Sequence, residues 1–121
     1  MSGLQELYAR LLARRDANPD ESWTARLMQG GITTIGKKIS EEATELALAA
    51  RELEHARARG ADKDEIARMY AHATNEAADL LYHHLVLLAY LDIPPQAVES
   101  VLESRSGASG IEEKRSRGKP D

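Results

Sequence analysis

An all-α fold is the expectation for this chain, and three observations carry it. Apolar residues recur at three- and four-residue spacing through most of its length. No β-hairpin signal, internal repeat or low-complexity block stands out. Aromatics make up only 4% of the residues, with no Phe, so the core must come from Leu, Ala, Ile, Val and Met, which favour helices.

The elements follow in order. Leu4, Leu7, Tyr8, Leu11 and Leu12 mark a first helix to about Arg15, broken by Asn18-Pro19-Asp20. Ser22 is placed to cap a short helix, WTARLMQ, that stops at Gly30-Gly31. A long helix is expected from about Thr34 to Arg59, with an apolar stripe of Ile35, Ile39, Ala43, Leu46, Ala50 and Leu53. Gly60 ends it and Asp62 caps the next, from about Lys63 to Leu91. The second half of that helix is apolar almost all round, which implies burial on more than one side. Pro94-Pro95 separates it from a last helix, Gln96 to Ser104. Residues 1–105 thus read as one helical domain and residues 106–121 as a basic tail.

Two long antiparallel helices with shorter ones around them make a four-helix arrangement the natural packing. The apolar surplus of the second long helix calls for a second copy, so a homodimer is expected.

At 121 residues the chain is one domain with room for a real core. A net charge of −4 gives no drive toward nucleic acid or acidic membranes. The longest apolar run, Leu85 to Leu91, is too short to span a bilayer, and the charged N-terminus lacks a signal-peptide core. With no cysteine there is no disulfide or thiolate site, which fits a cytoplasmic location.

The most informative residues are acids. Glu41, Glu42 and Glu45 form E-E-x-x-E on the first long helix; Glu76 and Asp79 form E-x-x-D on the second. Residues three or four apart share a helix face, so the first three lie within roughly a third of a turn. Two such helices side by side aim four carboxylates at one point. Asp79 stands among Ala77, Ala78, Leu80 and Leu81, where a lone buried carboxylate is costly. E-E-x-x-E alone is common on solvated faces, but the second half of the pattern argues for a shared hard cation. All-oxygen ligands select Mg²⁺ or Mn²⁺ over Zn²⁺, and Mg²⁺ also coordinates substrate phosphates.

Other polar groups have less specific signals. His83 shares the face of Asp79, and a buried, hydrogen-bonded histidine is the expectation there rather than a ligand. Lys37 and Lys38 precede the acids by a turn; Lys38 is placed equally for Glu42 or for a phosphate. The tail offers Arg105, Lys114, Arg115, Arg117 and Lys119, either as a solubilising end or as a segment that orders over an anionic substrate.

The paired acidic motif resembles the MazG-like all-α nucleoside triphosphate pyrophosphatase superfamily. Three segments, Ser22-Trp23-Thr24-Ala25-Arg26-Leu27, Lys37 to Glu45 and Glu76 to His83, are similar to those of the phosphoribosyl-ATP pyrophosphohydrolases of histidine biosynthesis, as is the ending Ser109 to Lys114. The resemblance covers nearly the whole chain. It implies Mg²⁺-dependent hydrolysis of phosphoribosyl-ATP to phosphoribosyl-AMP and pyrophosphate, in a helical homodimer and as a stand-alone domain. On that reading Glu42, Glu45, Glu76 and Asp79 hold the metal. Glu41 takes a second metal or the water's proton. Lys37, Lys38, Arg105 and Lys114 contact phosphates. Trp23 and Thr24 are suited to phosphate or base contact, although a lone Trp is by default a core residue. The rival readings are a house-cleaning pyrophosphatase acting on other nucleotides and a non-enzymatic helical dimer.

Overall fold

The computed structural model describes residues 3–105, 114, 115 and 118. Among them are five helices and no strand: α1 (Gly3–Ala13), α2 (Trp23–Gln29), α3 (Gly31–Ala58), α4 (Lys63–Tyr90) and α5 (Pro95–Ser104). Both side-chain caps read from the sequence form. Ser22 accepts from the Ala25 N–H at 3.2 Å, and Asp62 accepts from the Glu65 N–H at 2.8 Å.

The start of α3 differs from expectation. Gly30 closes α2 and opens α3 at once, so α3 begins three residues before Thr34. Gly31 makes this possible by taking φ +72°, a left-handed conformation that costs a residue without Cβ nothing. At the far end Gly60 supplies the same conformation, and the Ala61 N–H bonds back to Ala56 O at 3.0 Å, a Schellman closure.

A four-residue link turns the chain back, and α3 and α4 make the most extensive helix pairing. Their contact follows a heptad. On α3 the seam is Ile35, Ile39, Glu42, Leu46, Ala49, Leu53 and Ala56, each buried or half-buried. On α4 it is Ile66, Met69, Ala73, Glu76, Leu80, His83, Leu87 and Tyr90. Alternating steps of four and three keep one stripe facing one partner, as in a coiled coil. This corrects the expected α3 stripe: Ala43 and Ala50 are exposed, while Glu42 and Ala49 occupy the seam. A stripe assembled from apolar residues alone steps over Glu42 and drifts off the contact.

The other helices pack around one end of this hairpin. Tyr8 and Leu11 of α1, Leu27 and Met28 of α2, and Ile35, Leu85, Val86, Leu88 and Ala89 form the main core. Burial on several sides of late α4 is therefore as expected. Its end is pinned to the turn after α1: Arg15 donates to Asp92 Oδ1 at 2.7 Å and to the Ala89 carbonyl at 3.3 Å. A cation on the last carbonyls suits a helix C-terminus. Burial pushes the Tyr8 phenol above its ordinary pKa, with Asp92 acting the same way and Arg15 against it. No single helix among the described residues is long and apolar enough to cross a membrane.

Candidate metal centre

Near the midpoints of α3 and α4 the apolar seam is interrupted by two acids. Glu42 is only 7% exposed. One oxygen of each of Glu42, Glu45 and Glu76 can be chosen so that all three lie within 4.8 Å of one another. Glu45 extends the group toward solvent from the turn after Glu42.

The local electrostatics leave this group unsatisfied. Lys38 Nζ lies 3.5 Å from Glu42 Oε1 and 3.6 Å from Glu41 Oε2. His72 Nδ1 stands 3.9 Å from Glu76 Oε1, a loose contact. The second oxygens of Glu42 and Glu76 are buried without a hydrogen-bond partner. Each such orphan costs about 1–3 kcal/mol. Two facing carboxylates also repel. A seam built for stability has Leu or Ala at these positions. The seam thus carries three buried polar atoms without partners, on Glu42, Glu76 and the Nε2 of His83, and local conflicts of this kind gather at functional sites. The donor set is oxygen only, and its two orphaned oxygens fit a hard divalent cation.

The remaining sequence-derived candidates fall in several places. Asp79 is exposed, not buried, and lies outside the close group. Its apolar neighbours Ala77, Ala78 and Leu81 are exposed with it, so the local run of apolar residues did not imply burial. Glu41 lines an open depression of about 370 Å³ together with Ser40, Thr44 and Glu45. Lys37 is exposed, while Lys38 bridges two of the acids. His83 is the buried, hydrogen-bonded histidine expected: its Nδ1 is 2.7 Å from the Asp79 carbonyl. Arg105 is half-buried and Lys114 exposed; the Ser109 to Glu113 part of the tail signature lies outside the described residues.

Trp23 and Thr24 divide. Thr24 is 2% exposed, and its hydroxyl is 2.6 Å from the Tyr82 hydroxyl. Trp23, adjacent in sequence, is 51% exposed and is not a core residue. Both border a cleft that also includes Arg14 and Tyr82. Neither of those two was singled out from sequence. Arg14 lies on the same 14–24 segment as most of the lining, and Tyr82, three residues after Asp79, is brought to it by the packing of α4.

A helical hairpin with a carboxylate group on its facing seam is an arrangement suited to a metal-assisted hydrolase of phosphoanhydrides. The model of the family "Phosphoribosyl-ATP pyrophosphohydrolase" matches residues 4–106. The chain belongs to that family. It is 46% identical over 114 residues to the phosphoribosyl-ATP pyrophosphatase of Trichlorobacter lovleyi, covering 94% of this chain and 92% of the relative. It is 48% identical over 117 residues to the phosphoribosyl-ATP pyrophosphatase of Janthinobacterium sp., covering 94% of each. A histidine biosynthesis bifunctional protein of Wolinella succinogenes matches at 46% over 114 residues, which is 94% of this chain but 43% of that longer protein.

Proposed function

We propose that the chain hydrolyses phosphoribosyl-ATP to phosphoribosyl-AMP and pyrophosphate in histidine biosynthesis, in the cytoplasm, with Mg²⁺ held by Glu42, Glu45 and Glu76. The observation that carries the metal assignment is the pair of orphaned carboxylate oxygens in the α3–α4 seam. When bound, Mg²⁺ (or Mn²⁺) supplies counter-charge for the triphosphate oxygens and for the charge that develops at the α–β anhydride. Asp79, one turn beyond Glu76 and exposed, is free to join as a further ligand from the substrate side.

The residues of the chain do the rest. Glu42 and Glu76 fix the centre because their helices are locked by the heptad around them. Glu45 and Glu41 face the open depression where substrate enters. Glu41, whose Oε2 lies 3.6 Å from Lys38 Nζ, accepts the proton of the attacking water. Lys37 and, after exchange from its carboxylate partners, Lys38 contact phosphate oxygens. The same role is assigned to Arg105 at the end of the helical domain and to Lys114 in the tail.

The substrate assignment is tested by pyrophosphate release from phosphoribosyl-ATP against a panel of ordinary dNTPs. Phosphoribosyl-ATP is the expected preferred substrate; faster turnover of dUTP or dCTP would move the chain to the house-cleaning class. The cage has its own check. Mg²⁺ binds the folded state alone, so millimolar Mg²⁺ raises the melting temperature of the wild type and leaves that of Glu76→Gln unchanged. No shift in the wild type contradicts the cage.

The second part of the proposal is a homodimer. A second heptad stripe on α4, Tyr70, Thr74, Ala77, Leu81 and His84, is exposed in the single chain and meets Leu88 at its end. Beside it runs an apolar groove among Leu4, Leu81, Leu85, Val98 and Leu102. Leu48, Tyr70 and Leu102 are each more than half exposed, at 56%, 58% and 59%. Such a stripe on one long helix asks for another helix of the same pattern. Sedimentation is expected to give a dimer for the wild type and a monomer for Leu81→Glu. A monomeric wild type overturns this part.

A further inference from the structure

The cleft beside Trp23 is distinct from the acidic group. The turn after α1, the start of α2 and Tyr82 of α4 enclose about 410 Å³, within the ~300–1,000 Å³ usual for small-molecule sites. Its floor is rigid. Thr24 is buried against the Tyr82 hydroxyl, Ser22 caps α2, and the Asn18 side chain accepts from the Asp20 N–H at 2.9 Å. Its walls are unsatisfied. Trp23, the chain's one Trp, presents half of its surface to solvent. Arg14 has no ion pair among the described residues, whereas its neighbour Arg15 is committed to Asp92. A planar aromatic face and an unpaired guanidinium across a preformed cleft match a nucleobase and a phosphate.

Position relative to the acids adds the second argument. Tyr82 follows Glu76 by six residues, about 9 Å along the α4 axis at 1.5 Å per residue. Asp79 lies between them, one turn from each. A nucleoside is about that long. Tyr82 is also turned about a third of the way around α4 from Glu76, with Asp79 midway, so a nucleotide with its triphosphate at Glu42, Glu45 and Glu76 reaches the cleft by passing over Asp79.

We propose that this cleft binds the end of the substrate remote from the scissile anhydride: the purine stacks on Trp23, and the phosphate of the phosphoribosyl arm bonds Arg14. This rests on the reading of phosphoribosyl-ATP as substrate. Glu21, the one acid lining the cleft, suits a ribose hydroxyl. ATP and the dNTPs carry no phosphate at the base end for Arg14 to hold. Arg14 is thus a specificity-determining residue.

The single Trp provides a readout that needs neither turnover nor metal. With chelator present, phosphoribosyl-AMP is expected to quench Trp23 fluorescence saturably. Arg14→Gln, a change at an exposed position, weakens that binding about tenfold, the worth of one charge-assisted contact. It leaves the weaker affinity for AMP unchanged. In steady state the same variant raises KM for phosphoribosyl-ATP about tenfold with kcat unchanged. Absence of quenching, unaltered affinity for phosphoribosyl-AMP in Arg14→Gln, or an equal loss toward AMP each overturns the proposal. Pyrophosphate release by the wild type together with a silent Trp23 removes the subsite and leaves the activity standing. Quenching through Arg14 with no pyrophosphate release removes the activity and keeps the subsite.

Discussion

Glu45→Gln is expected to abolish pyrophosphate release from phosphoribosyl-ATP while leaving the helical fold intact. The amide keeps the size and shape of the side chain but removes the charge that draws a divalent cation. Glu45 is exposed on α3 and takes no part in the seam, so the helices have nothing to lose. Losing a supporting residue behind a metal ligand typically costs 10–100-fold, so losing a ligand of a three-carboxylate centre is expected to cost about a hundredfold or more. Rate and circular dichroism measured on the same sample separate the two effects. Activity retained in a folded Glu45→Gln protein contradicts the assignment of this carboxylate.

Glu42→Leu is expected to inactivate the chain and to stabilise it. Glu42 is a seam residue by position and by burial, and its Oε2 has no partner. Replacing a buried charge by a well-packed apolar side chain is often worth about 1–4 kcal/mol. For a domain of this size that is a rise of several degrees in melting temperature. Lys38 keeps Glu41 at 3.6 Å, so no new orphan cation is made. Glu42→Gln, which leaves a polar group in the seam, does not give this gain. A lower melting temperature for Glu42→Leu shows that the carboxylate is structural. The expected combination, more stable and inactive, is the trade between stability and function at one position.

The same seam shows what could be read from sequence. Local chemistry was legible. Ser22 and Asp62 cap as expected because a cap needs only three or four consecutive residues, and Gly60 ends α3 for the same reason. Helical spacing also sufficed to bring Glu42 and Glu45 together, and the hairpin brings Glu76 to them. Burial was harder. The α3 stripe drawn through Ala43 and Ala50 missed the contact because the seam residue there is an acid, and apolar pattern alone passes over it. Asp79 was expected to be buried among Ala77, Ala78 and Leu81, yet all four are exposed on the single chain. Which face of an all-apolar helix is covered depends on the partner, not on the run itself. The Trp23 cleft was legible only in part: Trp23 and Thr24 are readable from sequence, but Tyr82 is brought to them by helix packing, 58 residues from Thr24, a separation no motif spans.

The central claim, that the interrupted seam is a metal centre for phosphoanhydride cleavage, is met most directly by pyrophosphate release from phosphoribosyl-ATP after chelation and again after Mg²⁺ is restored. Release is expected to cease with chelator and to return with Mg²⁺ in the wild type. Release that continues undiminished in the presence of chelator would contradict it.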